Sequence, residues 1–296
     1  MPRLPSLLLL LGLLTLLVRP TSAADLAREF TWIDVGQGSA LLVRDADIAV
    51  MIDAGPPASA EAIIAALDRA GVTRVDLWIL THHDADHIGG LARALAGHDG
   101  RLGTDDDLEV DAFWDRGLEA APSTGVFASY RAAVGDRRAG VGPGAMWSKG
   151  QVEIAVVDTG PLAPDAPENH RGLALCVTLG RATLLAPGDL PAQRVAAAAL
   201  ACGPVDLFWV AHHGGRDGIS AEVVTAIGAA TAVISAGMDN PYCHPDPAVL
   251  ARLGGRRVLI TGAAGIDPEG ACPPLAPALG PEHVVVGDSV VVPVDP

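Results

Sequence analysis

The sequence predicts an α/β protein built as a four-layered αββα sandwich, and two observations predict this class. Both halves of the 296-residue chain alternate short apolar runs of strand length with segments of helical periodicity. Hydrophobic residues make up 50% of the chain and charged residues 19%, which excludes a disordered chain and allows a sizeable core. Two mixed sheets, each with helices on its outer face, would bury these apolar surfaces in four layers.

The first half predicts strands separated by glycine- and aspartate-rich turns, followed by alternating helices and strands. Residues 75–80 read VDLWIL, a nearly continuous apolar run typical of a strand covered on both faces. Outside one helix, residues 96–150 carry weak signals, and we expect long loops there. The predicted strands are 30–34, 40–43, 48–52 and 75–80, and the predicted helices are 61–70, a helix beginning at 88 and running to 95, and 126–134.

The second half repeats the alternation of strand and helix. Because the chain has no short-period repeat and no low-complexity linker, we expect residues 24–296 to form one domain. The predicted strands are 152–157, 173–179, 182–185, 205–210, 230–234, 257–260, 283–286 and 289–292, and the predicted helices are 191–201, 221–227 and 247–253.

The N-terminus has the pattern of a secretion signal. Residues 7–18 form a charge-free, leucine-rich run of about a dozen residues, shorter than the ~20 that a membrane span needs. Small residues follow at Ser22, Ala23 and Ala24. We expect residues 1–23 to be a cleaved signal peptide and the mature chain, which has no membrane span, to be periplasmic or secreted. An uncleaved signal anchor is the alternative.

Charge and cysteine content limit the classes of function. A formal net charge of -15 excludes a nucleic-acid binder that works through a broad basic surface, although bound metal ions could supply local positive charge. The four cysteines show no CxxC zinc pattern, and export would permit disulfides. We expect one disulfide, between Cys243 and Cys272. Cys176 lies in an apolar run and is interpreted as a small buried hydrophobic residue.

The strongest chemical signal is the segment THHDADHIGG at residues 81–90, directly after the predicted strand 75–80. In an extended loop, positions 82 and 84 project to the same side, whereas 86 and 87 enter the first helical turn. This spacing suits two neighbouring metal ions better than one. The alternative is a solvated polar turn in which Asp86 lies near a helix start.

The same segment resembles the HxHxDH metal-binding motif of the metallo-β-lactamase superfamily, in the HxDxDH variant of the hydrolase domain of ComEC-type competence proteins. Asp84 stands where the superfamily usually has its second histidine. Five more segments are similar to family motifs and follow the family's order: residues 33–40 (IDVGQGSA), 51–55 (MIDAG), 187–190 (PGDL), 210–215 (VAHHGG) and 240–245 (NPYCHP). The resemblance implies the αββα fold of that superfamily and metal-dependent hydrolysis.

The resemblance also implies a set of metal ligands, namely His82, Asp84, Asp86, His87, Asp189 and His213. One ion would lie among Asp86, His87, His213 and Asp189, and the other among His82, Asp84 and Asp189. Zn²⁺ or Mn²⁺ is expected, because a carboxylate at position 84 makes the second site harder. A cap for the helix that follows is the alternative role of Asp189.

Further roles are expected around these ligands. We prefer His213 to His212 as the ligand because it directly precedes Gly214, but the sequence leaves the choice open. Asp86, His212 and His244 are the expected catalytic residues; His212 would support the ligands or transfer protons, and His244 would contact the substrate phosphate or the metals, unless it is an ordinary loop histidine. The resemblance implies that Asn169 stands where many superfamily members have a further histidine ligand. Asp34 and Asp53 are interpreted as groups that fix turns or hold ligand histidines.

We therefore expect an exported metal-dependent hydrolase that cleaves phosphodiester bonds through a water activated by two divalent ions. Its substrate would be a small phosphodiester or another anionic molecule, with DNA as a further candidate, and Arg216 and Arg116 would contact it. The aromatic content of 4% favours a small phosphodiester over a dedicated nuclease. Hydrolysis of lactams or lactones and a non-catalytic metal-stabilised binding module are the alternatives. No obligate protein partner is indicated.

Overall fold

The computed structural model describes residues 28–237, 240–262, 272 and 281–295. The predicted signal peptide at residues 1–23 lies outside these. The strands of the described residues are β1 (Arg28–Trp32), β2 (Leu41–Asp45), β3 (Ile48–Ile52), β4 (Arg74–Val75), β5 (Leu77–Ile79), β6 (Glu109–Val110), β7 (Phe113–Asp115), β8 (Arg138–Gly140), β9 (Met146–Lys149), β10 (Val152–Val157), β11 (Ala174–Leu179), β12 (Ala182–Ala186), β13 (Leu207–Trp209), β14 (Thr231–Ile234), β15 (Arg257–Ile260), β16 (His283–Val285) and β17 (Val290–Pro293). The helices are α1 (Ala60–Ala70), α2 (Ala85–Ile88), α3 (Leu91–Leu95), α4 (Gly125–Val134), α5 (Ala192–Cys202), α6 (Ala221–Ile227) and α7 (Pro247–Arg252).

Most of these strands form two mixed sheets. The first sheet has the order β17-β1-β2-β3-β5-β7-β8, antiparallel from β17 to β3 and parallel from β3 to β8. The second has the order β16-β15-β14-β13-β12-β11-β10-β9, parallel from β16 to β12 and antiparallel from there on. Strands β4 and β6 form a separate parallel pair. Each large sheet therefore gathers the carboxyl ends of several parallel strands at one edge, where α/β proteins place their ligands.

Three hydrophobic cores separate four layers, as predicted. Alternation along the strands assigns side chains to different cores: Leu41 and Val43 of β2 pack between the two sheets, whereas Leu42 faces the helices outside the first sheet. Helices α1, α3 and α4 cover that outer face, and α5, α6 and α7 cover the outer face of the second sheet. The architecture is the αββα sandwich that the alternating pattern indicates.

Two predicted elements are interrupted in the structure. The strand predicted at 75–80 is split between β4 and β5 at Asp76, because the buried carboxylate of Asp76 accepts a hydrogen bond from the backbone N–H of Ala49 and pairs with Lys149. The helix expected to begin at residue 88 is instead two short helices, α2 and α3, separated at Gly89 and Gly90. A side chain at either glycine would collide with backbone of residues 54–57.

Other differences concern residues 96–150 and the cysteines. Strands β6 to β9 lie where long loops were expected, and each has only two to four residues. The predicted disulfide Cys243–Cys272 is confirmed. The interpretation of Cys176 as an unpaired buried residue is wrong, because it forms a second disulfide with Cys202 that joins β11 to α5. None of the described helices has both the length and the apolar character needed to cross a membrane.

Candidate metal centre

The predicted site residues lie in loops at the carboxyl ends of parallel strands. Residues 82–87 follow β5 in the first sheet. Asp189 follows β12, the two histidines 212 and 213 follow β13, and His244 lies in the loop between β14 and α7. Because the two sheets pack face to face, these loops from distant parts of the sequence meet at one rim of the sandwich.

Four of the predicted ligands form one tight group, made by Asp86, His87, Asp189 and His213. One ligand atom from each lies within 4.8 Å of the others. Nε2 of His213 lies 3.2 Å from Oδ2 of Asp86 and 3.4 Å from Oδ2 of Asp189. Nε2 of His87 lies 3.2 Å from Oδ1 of Asp189. This is the set of residues that the sequence assigns to one ion.

The other two predicted ligands adjoin this group on one side. Nε2 of His82 lies 3.6 Å from Oδ2 of Asp84 and 4.0 Å from Oδ2 of Asp189. The rings of His82 and His87 are close, with centroids 4.0 Å apart. Asp189 is therefore adjacent to both sets of ligands and is buried between them, with 4% of its surface exposed.

The hydrogen bonds of the three buried histidines fit a role in metal binding. Nδ1 of His87 lies 2.7 Å from a carboxylate oxygen of Asp53, and Nδ1 of His213 lies 3.0 Å from the backbone oxygen of Ser235. Nδ1 of His82 is 3.1 Å from the hydroxyl oxygen of Thr81. Within the described part of the chain, Nε2 of each is buried and has no hydrogen-bond partner. Outer partners of this kind orient metal-binding imidazoles.

The electrostatics of the group also favour cations. Burial alone would lower the pKa of His87, but the carboxylates of Asp189 and Asp53 outweigh burial and raise the pKa well above its usual value. At His213, burial is likewise outweighed, here by the carboxylates of Asp189 and Asp86, and the pKa rises to about 9. For Asp189, burial would raise the pKa, yet the two histidines hold it well below its usual value. Carboxylates that stabilise imidazolium ions this strongly also attract metal cations.

The two adjacent histidines after β13 have different surroundings. Both adopt left-handed backbone conformations, with φ of 52° at His212 and 53° at His213, which non-glycine residues rarely adopt. His213 points into the buried group, whereas the side chain of His212 is 24% exposed. Nδ1 of His212 lies 2.9 Å from Oδ1 of Asp217, and Nε2 lies 3.3 Å from Nδ2 of Asn169. Its ring therefore has partners at both nitrogens, which supports the preference for His213 as the ligand.

An open cleft of about 340 Å³ leads to the group of ligands. The side chain of His244 lies in its wall, where burial and the neighbouring His212 and His213 lower its pKa to about 4. The ring is therefore neutral at pH 7 in the absence of cations. The cleft is lined by Gln37, Asp84, Ala85, Asp86, Asn169, Asp189, His212, His213, Tyr242 and His244.

The lining of the cleft contains no arginine or lysine among the described residues. This corrects the expectation that Arg116 and Arg216 contact the substrate. The guanidinium group of Arg116 is buried, with 3% of its side chain exposed, and it forms an ion pair with Glu168. It also donates to the backbone oxygens of Glu119 and Ala120. Arg116 is thus part of the support of the loop that carries Asn169. Arg216 is 71% exposed and pairs with Asp246 outside the cleft.

The two motifs in the first strands support the loop of residues 82–87. Asp53, predicted to fix turns or hold histidines, accepts hydrogen bonds from the backbone N–H and hydroxyl of Thr81 as well as from His87. The backbone N–H of Ser39 donates to the backbone oxygen of Asp86. A Cβ atom at Gly38 would lie 2.5 Å from that oxygen, so only glycine allows this close approach. Asp34 accepts a hydrogen bond from the N–H of Gly36 and so fixes the turn.

The sequence did not indicate three supporting residues. Asp217 contacts His212 five residues away, Ser235 contacts His213 through its backbone, and Glu168 accepts a hydrogen bond from the backbone N–H of His83. The contact of Asp217 with His212 could have been predicted, because Asp217 directly follows the segment HHGGR and a histidine and an aspartate so close together in a loop can touch. The other two contacts join segments distant in sequence, and no local pattern marks them.

Comparison with known proteins gives a consistent result. The family described as the metallo-beta-lactamase superfamily matches residues 33–237. Competence protein ComA of Neisseria gonorrhoeae is 27% identical over 256 residues, covering 84% of this chain and 32% of its own length. ComE operon protein 3 of Bacillus subtilis is 27% identical over 250 residues, covering 76% of this chain and 30% of its own length. The chain thus spans about a third of these relatives.

Solved structures show the same fold. A mutant of the CmlA β-hydroxylase, an enzyme of Streptomyces venezuelae, superposes with a TM-score of 0.54 at 13% identity. The match covers 90% of this chain and 54% of that one. At this level of identity the likeness concerns the fold alone.

Proposed function

The chain belongs to the metallo-β-lactamase superfamily, and from that premise we propose that it is a metal-dependent hydrolase that cleaves phosphodiester bonds. The observation that carries this proposal is the group of buried imidazoles and carboxylates centred on Asp189. Nε2 of His82, His87 and His213 is buried without a hydrogen-bond partner among the described residues, and such nitrogens cost free energy unless a ligand occupies the space between them. A cation is the ligand that suits this donor set.

Two divalent ions fit the charges better than one. The carboxylates of Asp84, Asp86 and Asp189 border the space, and that of Asp53 lies behind His87; their four negative charges equal the four positive charges of two divalent ions. We propose that Asp86, His87, Asp189 and His213 hold one ion and that His82, Asp84 and Asp189 hold the other. Three of the six proposed ligands are carboxylates, so the sites offer more oxygen donors than sites made of histidine alone. This favours Mn²⁺ or mixed occupancy over Zn²⁺ alone.

When bound, such ions polarise a scissile P–O bond and make a water molecule acidic enough to attack phosphorus near pH 7. The chain's own residues supply the proton transfer. Asp217 orients His212 through its Nδ1, and Nε2 of His212 faces the cleft 3.8 Å from Asp189. We propose that His212 takes up a proton from solvent at Nε2 when the substrate replaces Nδ2 of Asn169 as its partner, and that it passes this proton to the leaving oxygen. His244, neutral and 5.3 Å from His212 between ring centroids, lies beside the same position and would contact the substrate.

The substrate we propose is a small phosphodiester. With no arginine or lysine among the described residues of the cleft lining, the protein offers no track of positive charge for a long nucleic-acid backbone. The cations would be the principal attraction for a single phosphodiester group. DNA is the second candidate substrate, because bound cations could attract a nucleic-acid phosphate as well as a small phosphodiester. The competence-protein relatives are about three times as long as the match.

We further propose that the protein is exported. Two disulfides support this, because disulfides persist in oxidising compartments and are rare in the cytosol. The Leu-rich N-terminal run of the sequence is the second argument for a secretory signal peptide.

The test is hydrolysis by purified protein loaded with Mn²⁺ or Zn²⁺. We expect turnover of bis(p-nitrophenyl) phosphate, loss of turnover in Asp189→Asn, and normal turnover in Asp47→Asn, which lies at the opposite end of β3 from the site. Nitrocefin and a lactone serve as the other substrates. Turnover of these with none of the diester would replace the proposal by acyl hydrolysis, and inertness on all three would favour a binding module.

A further inference from the structure

Among the described residues, an exposed aromatic side chain, that of Tyr242, lies in the cleft beside the candidate metal centre. The chain has two tyrosines. Tyr130 is buried and donates a hydrogen bond to Asp115, whereas Tyr242 lines the cleft with 64% of its surface exposed. An aromatic ring left in water loses the free energy that burial would provide. Its place in the lining of the cleft makes this exposed ring available to a ligand bound beside the candidate metal centre.

A series of rings connects Tyr242 with the floor of the cleft. The ring centroids of Tyr242 and His244 are 5.8 Å apart and the rings are tilted by 32°. His244 meets His212 edge-on at 5.3 Å, and Nε2 of His212 lies 3.8 Å from Asp189. Asp189, His212, His244 and Tyr242 line the same cleft, so the ring of Tyr242 is within the space open to a group attached to a phosphate bound beside Asp189 and His212.

Described residues on both sides of Tyr242 are held by specific contacts. Asn240 is buried, and its side chain accepts a hydrogen bond from the N–H of His244 and donates to the backbone oxygens of Gly237 and His244. The neighbouring Cys243 is held in a left-handed conformation, with φ of 60°, and forms the disulfide with Cys272. Tyr242 thus sits between a buried polar anchor and a covalent crosslink.

The start of the loop is held equally closely. The backbone N–H of Gly237 donates to Oε1 of Gln37, and a Cβ atom at Gly237 would lie only 2.4 Å from the backbone nitrogen of Gln37. At the other end, the N–H of Asp246 donates to the backbone oxygen of Gly214, next to the ligand His213. A rigid aromatic surface binds a flat ligand at little cost in conformational entropy, because few rotatable bonds must be ordered.

We propose that Tyr242 determines specificity as a stacking platform for an aromatic group attached to the scissile phosphate, and that the substrates are phosphodiesters carrying a nucleobase or another aryl group. The inference rests on the proposed phosphodiesterase function. A single platform contacts one ring, so it selects the group on one side of the phosphate. Stacking of one base on one aromatic side chain changes affinity by about 5- to 150-fold.

The experiment uses calorimetry to measure how tightly three phosphate compounds bind to the full chain loaded with metal. The probes are adenosine 5′-monophosphate, phenyl phosphate and ribose 5-phosphate, which share the phosphate and differ in the aromatic group. We expect adenosine 5′-monophosphate to bind about tenfold or more tightly than ribose 5-phosphate. Tyr242→Ala should abolish that preference, and Tyr242→Phe should retain it. Met146→Ala, which removes an equally exposed side chain from β9, should leave all affinities unchanged.

The affinity for ribose 5-phosphate reports on the integrity of the centre in every variant. An equal loss of all three affinities in Tyr242→Ala would show a structural role and overturn the proposal, as would equal binding of the three probes by the wild-type protein. Tight binding of phenyl phosphate alone would assign the platform to aryl groups other than bases. Hydrolysis of bis(p-nitrophenyl) phosphate, measured in parallel, separates the two claims: hydrolysis without a ring preference refutes only the platform, and a Tyr242-dependent preference without hydrolysis refutes only the enzyme.

Discussion

The carboxylate of Asp53 joins two parts of the ligand loop, because it contacts Nδ1 of His87 at 2.7 Å and also accepts from the backbone N–H and hydroxyl of Thr81. Since a carboxylate can only accept, Nδ1 of His87 carries a proton, so Nε2, beside Asp189, is the ring nitrogen available to bind a cation. A residue that no substrate reaches thus sets the direction and protonation of a ligand.

Asp53→Asn should weaken metal binding by about 10- to 100-fold, the usual effect of losing an outer partner of a ligand histidine. The measurement is a competition titration of Mn²⁺ or Zn²⁺ against a chromophoric chelator, with Asp47→Asn as the matched control. An unchanged affinity in Asp53→Asn would show that His87 is not held for metal binding.

Substitution of His212 and of His213 should affect different properties, kcat in the first case and metal content in the second. His213→Ala should lose metal, because Nε2 of His213 lies within 3.4 Å of two ligand carboxylates. His212→Ala should retain metal and lower kcat by about 100-fold or more, since only proton transfer is removed. Metal content by mass spectrometry and kcat measured on the same samples decide the matter, and full metal content in His213→Ala would reverse the assignment.

Behind the site, a buried ion pair should contribute to stability. Asp115 is fully buried and is bound by Arg138 and by the hydroxyl of Tyr130. Asp115→Asn should lower the free energy of unfolding by about 3 kcal/mol, because it leaves the Arg138 guanidinium, mostly covered, without its counter-ion. Denaturant unfolding measures this change. Asp111→Asn breaks the exposed pair with Arg74 and should change stability much less; equal effects would refute the distinction.

The same ion pair gives a pH dependence. Burial would raise the pKa of Asp115, but the nearby imidazole of His83, 3.8 Å away, and the hydrogen bonds from Arg138 and Tyr130 outweigh it and hold the pKa well below its usual value. A depressed pKa stabilises the fold fully above the unfolded value of about 3.9, and this contribution declines as the pH falls towards the folded value. The difference in unfolding free energy between wild type and Asp115→Asn should therefore be constant from about pH 7 to 5 and shrink below about pH 4. A difference that grew on acidification would contradict this.

The two disulfides should affect different properties. Replacing Cys176 and Cys202 by serine removes a crosslink between β11 and α5 and should cost about 2–4 kcal/mol with kcat/KM unchanged. Replacing Cys243 and Cys272 should also lower kcat/KM, because that disulfide adjoins Tyr242 and His244. Kinetics on the two folded double variants provide the comparison, and equal kcat/KM values would show that the loop needs no crosslink.

Much of this architecture follows from local sequence. Each ligand comes directly after a buried apolar run, so the strands β5, β12 and β13 and the residues beyond them could be located from periodicity and turn signals. Strands of two to four residues, such as β6, leave too short a pattern to detect. The interruption at Asp76 depends on Ala49 and Lys149, which only the folded chain brings near.

For the candidate metal centre too, local sequence predicts some residues, whereas others depend on contacts between distant parts of the chain. The ligands at residues 82–87 could be predicted from the residue types and spacing of one short segment. Asp189 and His213 could be predicted from the resemblance to the family. Contacts across long separations could not be foreseen: Asp53 with His87, and Glu168 with both Arg116 and His83. The burial of Arg116, which removes it from the cleft, is a property of packing that its neighbours in sequence do not reveal.

Anomalous X-ray scattering from crystals of the Mn²⁺-loaded protein tests the central claim most directly. We predict two peaks, one among Asp86, His87, Asp189 and His213 and the other beside His82 and Asp84, both within about 2–2.5 Å of a carboxylate oxygen of Asp189. Crystals that bind Mn²⁺ elsewhere, or that show no peak next to Asp189, would contradict the account.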